Sequence, residues 1–473
     1  VNRTAEPTLT TGPWAVWVDG APCGGRDHLA RTFVEHGTAA LGDRPGSWAL
    51  VAERRGETGL HVAVDAFGGA PLFVRGMEAR RDPSGWRGPL EPAMIRAHLA
   101  GDAGTPARTW IRGVHRIPAG HGGHLGDPRA LRPLYRPVGS TMPLREAVVR
   151  AVRDRRVDDP WVALSGGLDS AVVAACLAAD GPVTAITNRF GDWSCDEGDL
   201  ASATARRLGV PRHDVDSRTG MGRVLDLLAP PTFPPMLANH HLTLGLLAPD
   251  RVLFTGFGGD EVFGHGFDVV RELARTRPDR ALLEAVALAI RYRHAEATVG
   301  HELSRWLREA ARAVVHPPSP ATLRMRRIRR FTDPLLSRSR EEQLALATRV
   351  GARLVMPLLD PRVVAAVVER PASWRVRRGR TRQHVREAFA DLLAPEVLQA
   401  TTKADLSQTV RHEIPSMLDR YRSTIHRHIA DLRLTSAEED RLRRGLRGDV
   451  GPSAPWLFRV IGAARYLAWH TGA

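Results

Sequence analysis

Three short stretches carry residue types that could do chemistry together. The first is SGGLDS, Ser165 to Ser170, set between the apolar run WVAL, ending at Leu164, and the run DSAVVAACLAAD. Glycines let backbone N–H groups come close to an anion, and a helix starting here would turn its positive end toward it. That suits phosphate. No Gly-Lys-Ser/Thr follows, so this is not a Walker A loop. The second stretch is FTGFGGDEVFG, Phe254 to Gly264, a glycine turn followed by Asp260 and Glu261. A hard cation bridging phosphates takes oxygen ligands from separate loops. Asp169 and Asp260 could supply one each. The alternative for Asp260 and Glu261 is plain acidic capping of a helix N-terminus.

The third stretch is QATTKADLSQ, Gln399 to Gln408. Among 67 Lys and Arg residues, Lys403 is the single lysine. A chain that writes its other positive charges as Arg has kept one ammonium. The Arg excess reads as a coding bias, which weakens any argument from Arg count and strengthens the one from Lys403. An ammonium is a compact charge on a flexible stem, which a flat guanidinium fork does not mimic.

The formal charge of +15 allows nucleic acid, an anionic surface or a polyanionic small substrate as partner. Its densest clusters are RMRRIRRF, Arg324 to Phe331, and RVRRGRTRQHVR, Arg375 to Arg386. For any single Arg among them a solvated surface position is the default reading. No run of about 18 or more apolar residues suggests a membrane span. The opening VNRTAEPTLTTGPW lacks the layout of a secretory signal. Cys23, Cys176 and Cys195 have no zinc or disulfide spacing. Together these point to a reducing, cytoplasmic setting.

The positioning elements change character along the chain. Residues 1–138 read as β-rich, with WAVWVDG, SWALVAER and LHVAVDAFGGAPLFVRG as runs punctuated by Gly and Pro. From 139 onward an amphipathic helix, MPLREAVVRAVRDRR, opens an alternation of strands (WVAL, VTAIT, RVLFTGF) and helices (DSAVVAACLAAD, CDEGDLASATARRLG). That alternation predicts a parallel sheet covered on both faces. The remainder, from about 270 to 473, reads as mostly helical, with VMPLLDPR as its turn-rich landmark. In PPMLANHHLTLGLL, Asn239, His240 and His241 could line a cavity, but a plain helix with satisfied polar groups is the simpler description.

SGGLDS resembles the pyrophosphate loop of the N-type ATP pyrophosphatases. The order DAFGGAPLFV, SGGLDS, GGDE, MPLLDPR, REAFADLLAPEV and TTKADLS resembles the asparagine synthetase B superfamily along the whole chain. The fold implied is α+β and α/β: an Ntn-hydrolase-like β-rich domain over 1–138, then an α/β synthetase domain with a helical C-terminal part over 139–473. The resemblance implies ATP at Leu164, Ser165, Gly166, Gly167, Asp169, Ser170, Thr187, Gly256, Phe257, Gly258, Gly259 and Arg386. It implies Mg2+ on Asp169 and Asp260, and catalysis by Lys403 and Asp260. For Arg386 a phosphate contact and a core salt bridge are equally compatible.

The chain departs from the glutamine-using members. Cys23 is internal, and none of Asn2, Asn188 and Asn239 precedes a Gly, so the Asn-Gly oxyanion pair of a glutaminase is missing. The amine must then come with the substrate, as in β-lactam synthetases and lasso peptide cyclases. Phe257 stands where the β-lactam branch carries a Tyr that assists deprotonation. An α-amine, with a reference pKa of roughly 8, needs less help from a base. TTKADLS, with Asp405 after the Lys, and Arg353 in GARLVMPLLD look more like the lasso cyclases. The expectation is an ATP- and Mg-dependent cyclase of a linear lasso core peptide, with a leader peptidase and a leader-recognition protein as partners, and no nucleic acid. The basic clusters would help to hold an acidic peptide. The alternatives are a β-lactam-type intramolecular amide synthetase and, in another class, a tRNA-modifying protein, which also uses SGGxDS loops.

Overall fold

Apolar runs in the first third of the chain form antiparallel strands whose alternate residues pack into two separate hydrophobic clusters, so the central strands are covered on both faces. The computed structural model describes residues 6–104, 106–125, 131–228, 233–238, 240–264, isolated positions between 272 and 287, 319–400 and 406–472. Its N-terminal strands are β1 (Leu9–Thr11), β2 (Trp14–Pro22), β3 (Gly46–Arg54), β4 (His61–Val64), β5 (Phe73–Arg75), β6 (Glu78–Arg80), β7 (His115–Arg116), β8 (His121–His124) and β9 (Arg132–Pro133). They form a six-stranded sheet in the order β1-β2-β3-β4-β8-β9 and a smaller one in the order β6-β5-β7, every pair antiparallel. The run LHVAVDAFGGAPLFVRG makes two strands, β4 and β5. A turn built on Asp65 lies between them, its carboxylate accepting from the amides of Trp48, Phe67 and Ala70.

The second part is a five-stranded sheet, all parallel, in the order β12-β11-β10-β13-β14. Its strands are β10 (Pro160–Ala163), β11 (Thr184–Arg189), β12 (Arg212–Asp216), β13 (Val252–Phe254) and β14 (Arg353–Val355). The expected alternation is present: helices Leu144–Arg153, Leu168–Ala178 and Gly198–Leu208 fall where the sequence placed them. β12 and β14 were not expected. RHDVD is polar and lies at the sheet edge, so it lacks the apolar run that marks a buried strand. RLV is only three residues long and is embedded in a helical region. Among the described residues no helix is long and apolar enough to cross a membrane.

Buried ion pairs join the parts. Arg340, in helix Pro334–Val350, lies 3.6 Å from Asp65 with both side chains nearly inaccessible, and Arg116 from β7 bonds Glu341 at 2.7 Å. Asp360 of VMPLLDPR is fully buried. It caps helix Pro361–Val368 through the Arg362 amide and accepts from the guanidinium groups of Arg155 (2.8 Å) and Arg362 (2.9 Å). Burial alone would raise its carboxyl, but the hydrogen bonds from Arg362 and the charge of Arg155 outweigh it and hold the pKa below the ordinary value.

Asp360→Asn keeps the cap and removes the charge, so it isolates the ion pairs. The expected loss is about 3 kcal/mol at neutral pH, since two guanidinium groups are left without their buried counterion. A carboxyl with a depressed folded pKa stabilises fully above its unfolded value, about 3.9, and the contribution disappears as pH falls through the lower folded value. The stability gap between wild type and Asp360→Asn, measured by denaturant titration, should therefore be full at pH 7 and shrink below about pH 4.

Candidate active site

β10 ends at Ala163, and the Leu164 amide continues its pairing with Ile186 of β11 at 2.9 Å. The chain then turns through Ser165 to Gly167 into helix Leu168–Ala178. Gly166 takes φ +89°, and a Cβ there would lie 2.6 Å from the Glu197 carbonyl oxygen, so only glycine fits. The loop is braced from inside. Ser170 Oγ donates to the Gly167 carbonyl at 2.9 Å and accepts from the Ser165 amide at 3.2 Å. Ser165 is exposed and Gly167 has nothing closer to its Cβ position than Ser165 Oγ at 3.5 Å, so the outer side of the loop is open to a ligand. The first amides of an 11-residue helix face this opening, without a side-chain cap. That is an anion seat.

The GGDE turn packs directly on this loop. A Cβ on Gly256 would sit 2.6 Å from the Ser170 amide nitrogen, and one on Gly259 would sit 2.3 Å from Asp169 Cγ. Two small residues thus let two loops from neighbouring strands, β10 and β13, touch backbone to side chain. The consequence is a pair of carboxylates, Asp169 and Asp260, close enough to share one guanidinium. Arg382 Nη1 donates to Asp169 Oδ2 at 2.9 Å, and Nη2 donates to Asp260 Oδ1.

Arg382 is a functional candidate that the sequence reading missed. It lies inside RVRRGRTRQHVR, where any single Arg reads as surface. Its backbone is left-handed, φ +57°, a conformation that costs a non-glycine residue about 1–3 kcal/mol and so signals a position fixed by its surroundings. Beside it His384 is buried and packed against Trp374, ring centroids 4.3 Å apart. Burial, with the charges of Arg375 and Arg382, holds that imidazole neutral down to about 3. The signal available in sequence was indirect: two facing carboxylates require a cation, and Arg382 precedes the REAF helix segment by one turn.

The remaining expected site residues fall in several places. Phe257 and Gly258 belong to the GGDE turn, with Phe257 packed on the core and Gly258 held at φ +89° against Leu359. Leu164 and Thr187 do not point at the seat. The Leu164 side chain is core, and Thr187 is buried with its hydroxyl on the Leu164 carbonyl at 2.9 Å, so both side chains brace the loop from within. Arg386 braces backbone. It donates to the carbonyls of Val397 (2.8 Å), Leu398 (2.6 Å) and Ala400 (3.1 Å), fastening the end of helix Pro395–Gln399. Lys403, Asp405 and Asn239 lie outside the described residues, as does the side chain of His241. His240 is buried and bonded to Glu342 at 2.7 Å, the satisfied-helix alternative.

The two basic clusters are partly internal. Arg375 is buried among Glu272 and the Val367 carbonyl, Arg327 bonds Glu272 at 2.6 Å, and Arg382 and Arg386 are placed as above.

The donor set fits magnesium: two carboxylates from separate loops converge on a gap that a cationic group already spans, beside a glycine anion seat. A phosphate seat next to a two-carboxylate cation site at the carboxyl ends of parallel strands defines an ATP pyrophosphatase-type domain. A family model described as Asparagine synthase matches residues 143–450, more than half of the chain. The chain belongs to the asparagine synthase family of ATP-dependent enzymes, which use ATP and Mg2+ generally. A 7-cyano-7-deazaguanine synthase from Paracoccus denitrificans (strain Pd 1222) is 46% identical over 65 residues, covering 14% of this chain and 28% of that protein. The chain thus spans little more than a quarter of that relative's length.

Gly259→Ala tests the contact between the loops. A methyl group at 2.3 Å from Asp169 Cγ must displace the carboxylate. Magnesium-dependent ATP binding, followed by calorimetry, should weaken by about tenfold or more while the thermal midpoint moves only a few degrees. Unchanged binding would show that the Asp169 position is not needed for nucleotide.

Proposed function

We propose that this protein is an ATP- and magnesium-dependent cyclase that closes a macrolactam ring on a ribosomally made linear lasso-type peptide. The observation that carries the reading is the meeting of two carboxylate loops on one cation beside a phosphate seat, with none of Cys23, Cys176 and Cys195 suited to releasing ammonia. Cys23 is half-buried, and burial raises its thiol despite the neighbouring Arg155. A raised thiol is a poor nucleophile. Cys176 and Cys195 are buried. In this reading the N-terminal layer, residues 1–138, is a glutaminase-like platform that docks on the synthetase domain, residues 139–473.

The chemistry follows from the seat. An Asp or Glu side chain of the peptide attacks the α-phosphorus of ATP, and pyrophosphate leaves. Magnesium, held by Asp169 and Asp260, would supply the charge that neutralises the phosphates. Arg382 must then share or yield its place between the carboxylates. The N-terminal amine of the same peptide attacks the acyl carbonyl carbon, gives up a proton and expels AMP. Holding both groups in one site converts a bimolecular step into an intramolecular one, which can supply most of the acceleration. Phe257 has no proton to relay, which disfavours the β-lactam route and suits an α-amine already partly neutral near pH 7. Lys403 is the cation assigned to the developing charge at both steps. A leader peptidase and a leader-recognition protein would deliver the substrate.

The direct test incubates the protein with ATP, Mg2+ and a linear peptide carrying a free N-terminus and an Asp or Glu at a ring-closing position. The expected products are AMP, pyrophosphate and a peptide lighter by one water, with none formed from the N-acetylated peptide. Turnover dependent on ammonium or glutamine would overturn the reading, and steeply salt-dependent RNA binding with no peptide product would favour the tRNA-modifying alternative.

Lys403→Arg should reduce turnover by about 100-fold or more with an unchanged thermal midpoint, because a planar fork cannot take the place of a compact ammonium. Asp260→Ala should eliminate magnesium-dependent pyrophosphate release. Wild-type turnover in the first variant, or undiminished release in the second, would reassign the corresponding role.

A further inference from the structure

The N-terminal sheet carries a second cluster of metal-ligating side chains, unrelated to the phosphate seat. His61 at the start of β4 and His124 at the end of β8 are direct cross-strand partners. Their rings lie 4.6 Å apart, centroid to centroid, at 44°. Glu57 sits in the loop between β3 and β4, its amide closing a turn on the Arg54 carbonyl at 3.0 Å. Gly56 and Gly59, at φ +84° and +112°, let that loop fold back over the strand ends. As a result His61 Nε2 is 3.3 Å from Glu57 Oε2, and His124 Nε2 is 3.6 Å from Glu57 Oε1. One donor atom from each of the three residues falls within 4.8 Å of the others.

These separations are those of metal ligands. An ion bound tetrahedrally at roughly 2.0–2.1 Å from nitrogen and oxygen sets its ligands about 3.3 Å apart. Each imidazole nitrogen already lies 3.3 or 3.6 Å from one oxygen of the shared carboxylate, and donor atoms of all three residues lie within 4.8 Å of one another, so modest side-chain adjustment brings them to that spacing. Surroundings hold the set in place. Trp14 meets the His61 ring edge-on at 5.0 Å, and Phe33 packs at 5.9 Å. Glu57 is exposed at the surface, while His61 and His124 are only partly exposed, at 20% and 25%. A shared carboxylate between two imidazoles is also what protonated histidines would make, so the experiment must separate a metal from a proton.

The geometry points to a transition-metal site on the N-terminal sheet, ligated by His61, His124 and Glu57 with a fourth position open to water. Two imidazole nitrogens and one carboxylate oxygen form a borderline-soft set that suits Zn2+, with Co2+ and Ni2+ as weaker or comparable occupants. Mg2+ prefers oxygen ligands and does not compete there, which keeps this site distinct from Asp169 and Asp260. Bound metal would staple the β3–β4 loop to β8, across the strands that carry the chain toward Tyr135 and the synthetase region.

The test uses the full-length protein without an affinity tag, stripped by chelator. Zn2+ titrated calorimetrically should bind with one equivalent, and Co2+ should give the visible d–d absorption of a tetrahedral site, both unaffected by excess Mg2+. His61→Phe keeps a ring against Trp14 and Phe33 while removing a ligand nitrogen, and Glu57→Gln alters only a surface side chain. Each should weaken Zn2+ binding by about tenfold or more and abolish the rise in thermal midpoint that Zn2+ gives wild type. Binding undiminished in the His61→Phe, His124→Gln double variant, or no stoichiometric binding by wild type, would overturn the site and leave Glu57 as a plain carboxylate between two histidines.

Discussion

Two ionised carboxylates held side by side repel, and a folded chain that keeps both charged needs a cation between them. At an effective dielectric of about 20, unit charges about 4 Å apart interact by about 4 kcal/mol, a sizeable part of the net stability of a domain. Asp169 and Asp260 are such a pair, and Arg382 is the cation the chain itself provides. The synthetase half can be understood as the apparatus that makes this meeting possible. Adjacent parallel strands β10 and β13 bring the two loops to the same end of the sheet. Gly256 and Gly259 remove the side chains that would keep them apart. Arg382 lies between a short hairpin, Val376–Arg377 paired with Arg380–Thr381, and helix Gln383–Ala388, so the guanidinium comes from a distant part of the sequence.

The same reliance on arginine recurs where the two parts of the molecule join. Arg340 against Asp65 and Arg116 against Glu341 are buried pairs across that junction, and Arg155 with Arg362 surrounds Asp360 behind it. Buried ion pairs contribute little net stability over a well-packed apolar contact, but breaking one is expensive because it strands a charge. They fix which surfaces meet. A guanidinium can satisfy several acceptors from one fixed plane, as Arg338 does with Glu341, Glu342 and the Pro234 carbonyl, and this is why a chain nearly devoid of lysine can build its junctions so. The charge excess that a sequence reader assigns to the surface is therefore partly structural cement.

Legibility in the sequence followed locality. SGGLDS and GGDE are contiguous strings whose glycines and carboxylates do their work within a few residues, and the structure brings them together as their chemistry required. The alternating strands and helices around them were equally plain. β12 and β14 were not, because one is polar and at an edge and the other is three residues long. Arg382 could not be separated from its neighbours, since its role comes from residues more than a hundred positions earlier in the chain. Thr187 and Arg386 were assigned toward the ligand for the same reason in reverse. Both are polar groups near the motifs, and only the fold shows that they donate to backbone carbonyls.

Arg386 nevertheless bears on the lone lysine. Its bonds to Val397, Leu398 and Ala400 fix the chain on one side of Lys403, and the Thr409 hydroxyl on the Leu406 carbonyl at 2.7 Å fixes it on the other. Glu413, farther along the helix Ser407–Arg427, ties that helix to the rest by accepting from the amides of Gly220 and Met221. Rigid arginine forks are suited to such anchoring, where the acceptors are stationary. In the proposed reaction, the charge that would follow electron density from phosphorus to a tetrahedral carbon needs the opposite properties: a short radius, free rotation and no preferred plane. In a chain where every stationary cation is an arginine, a mobile task is the physical reason that would keep one ammonium.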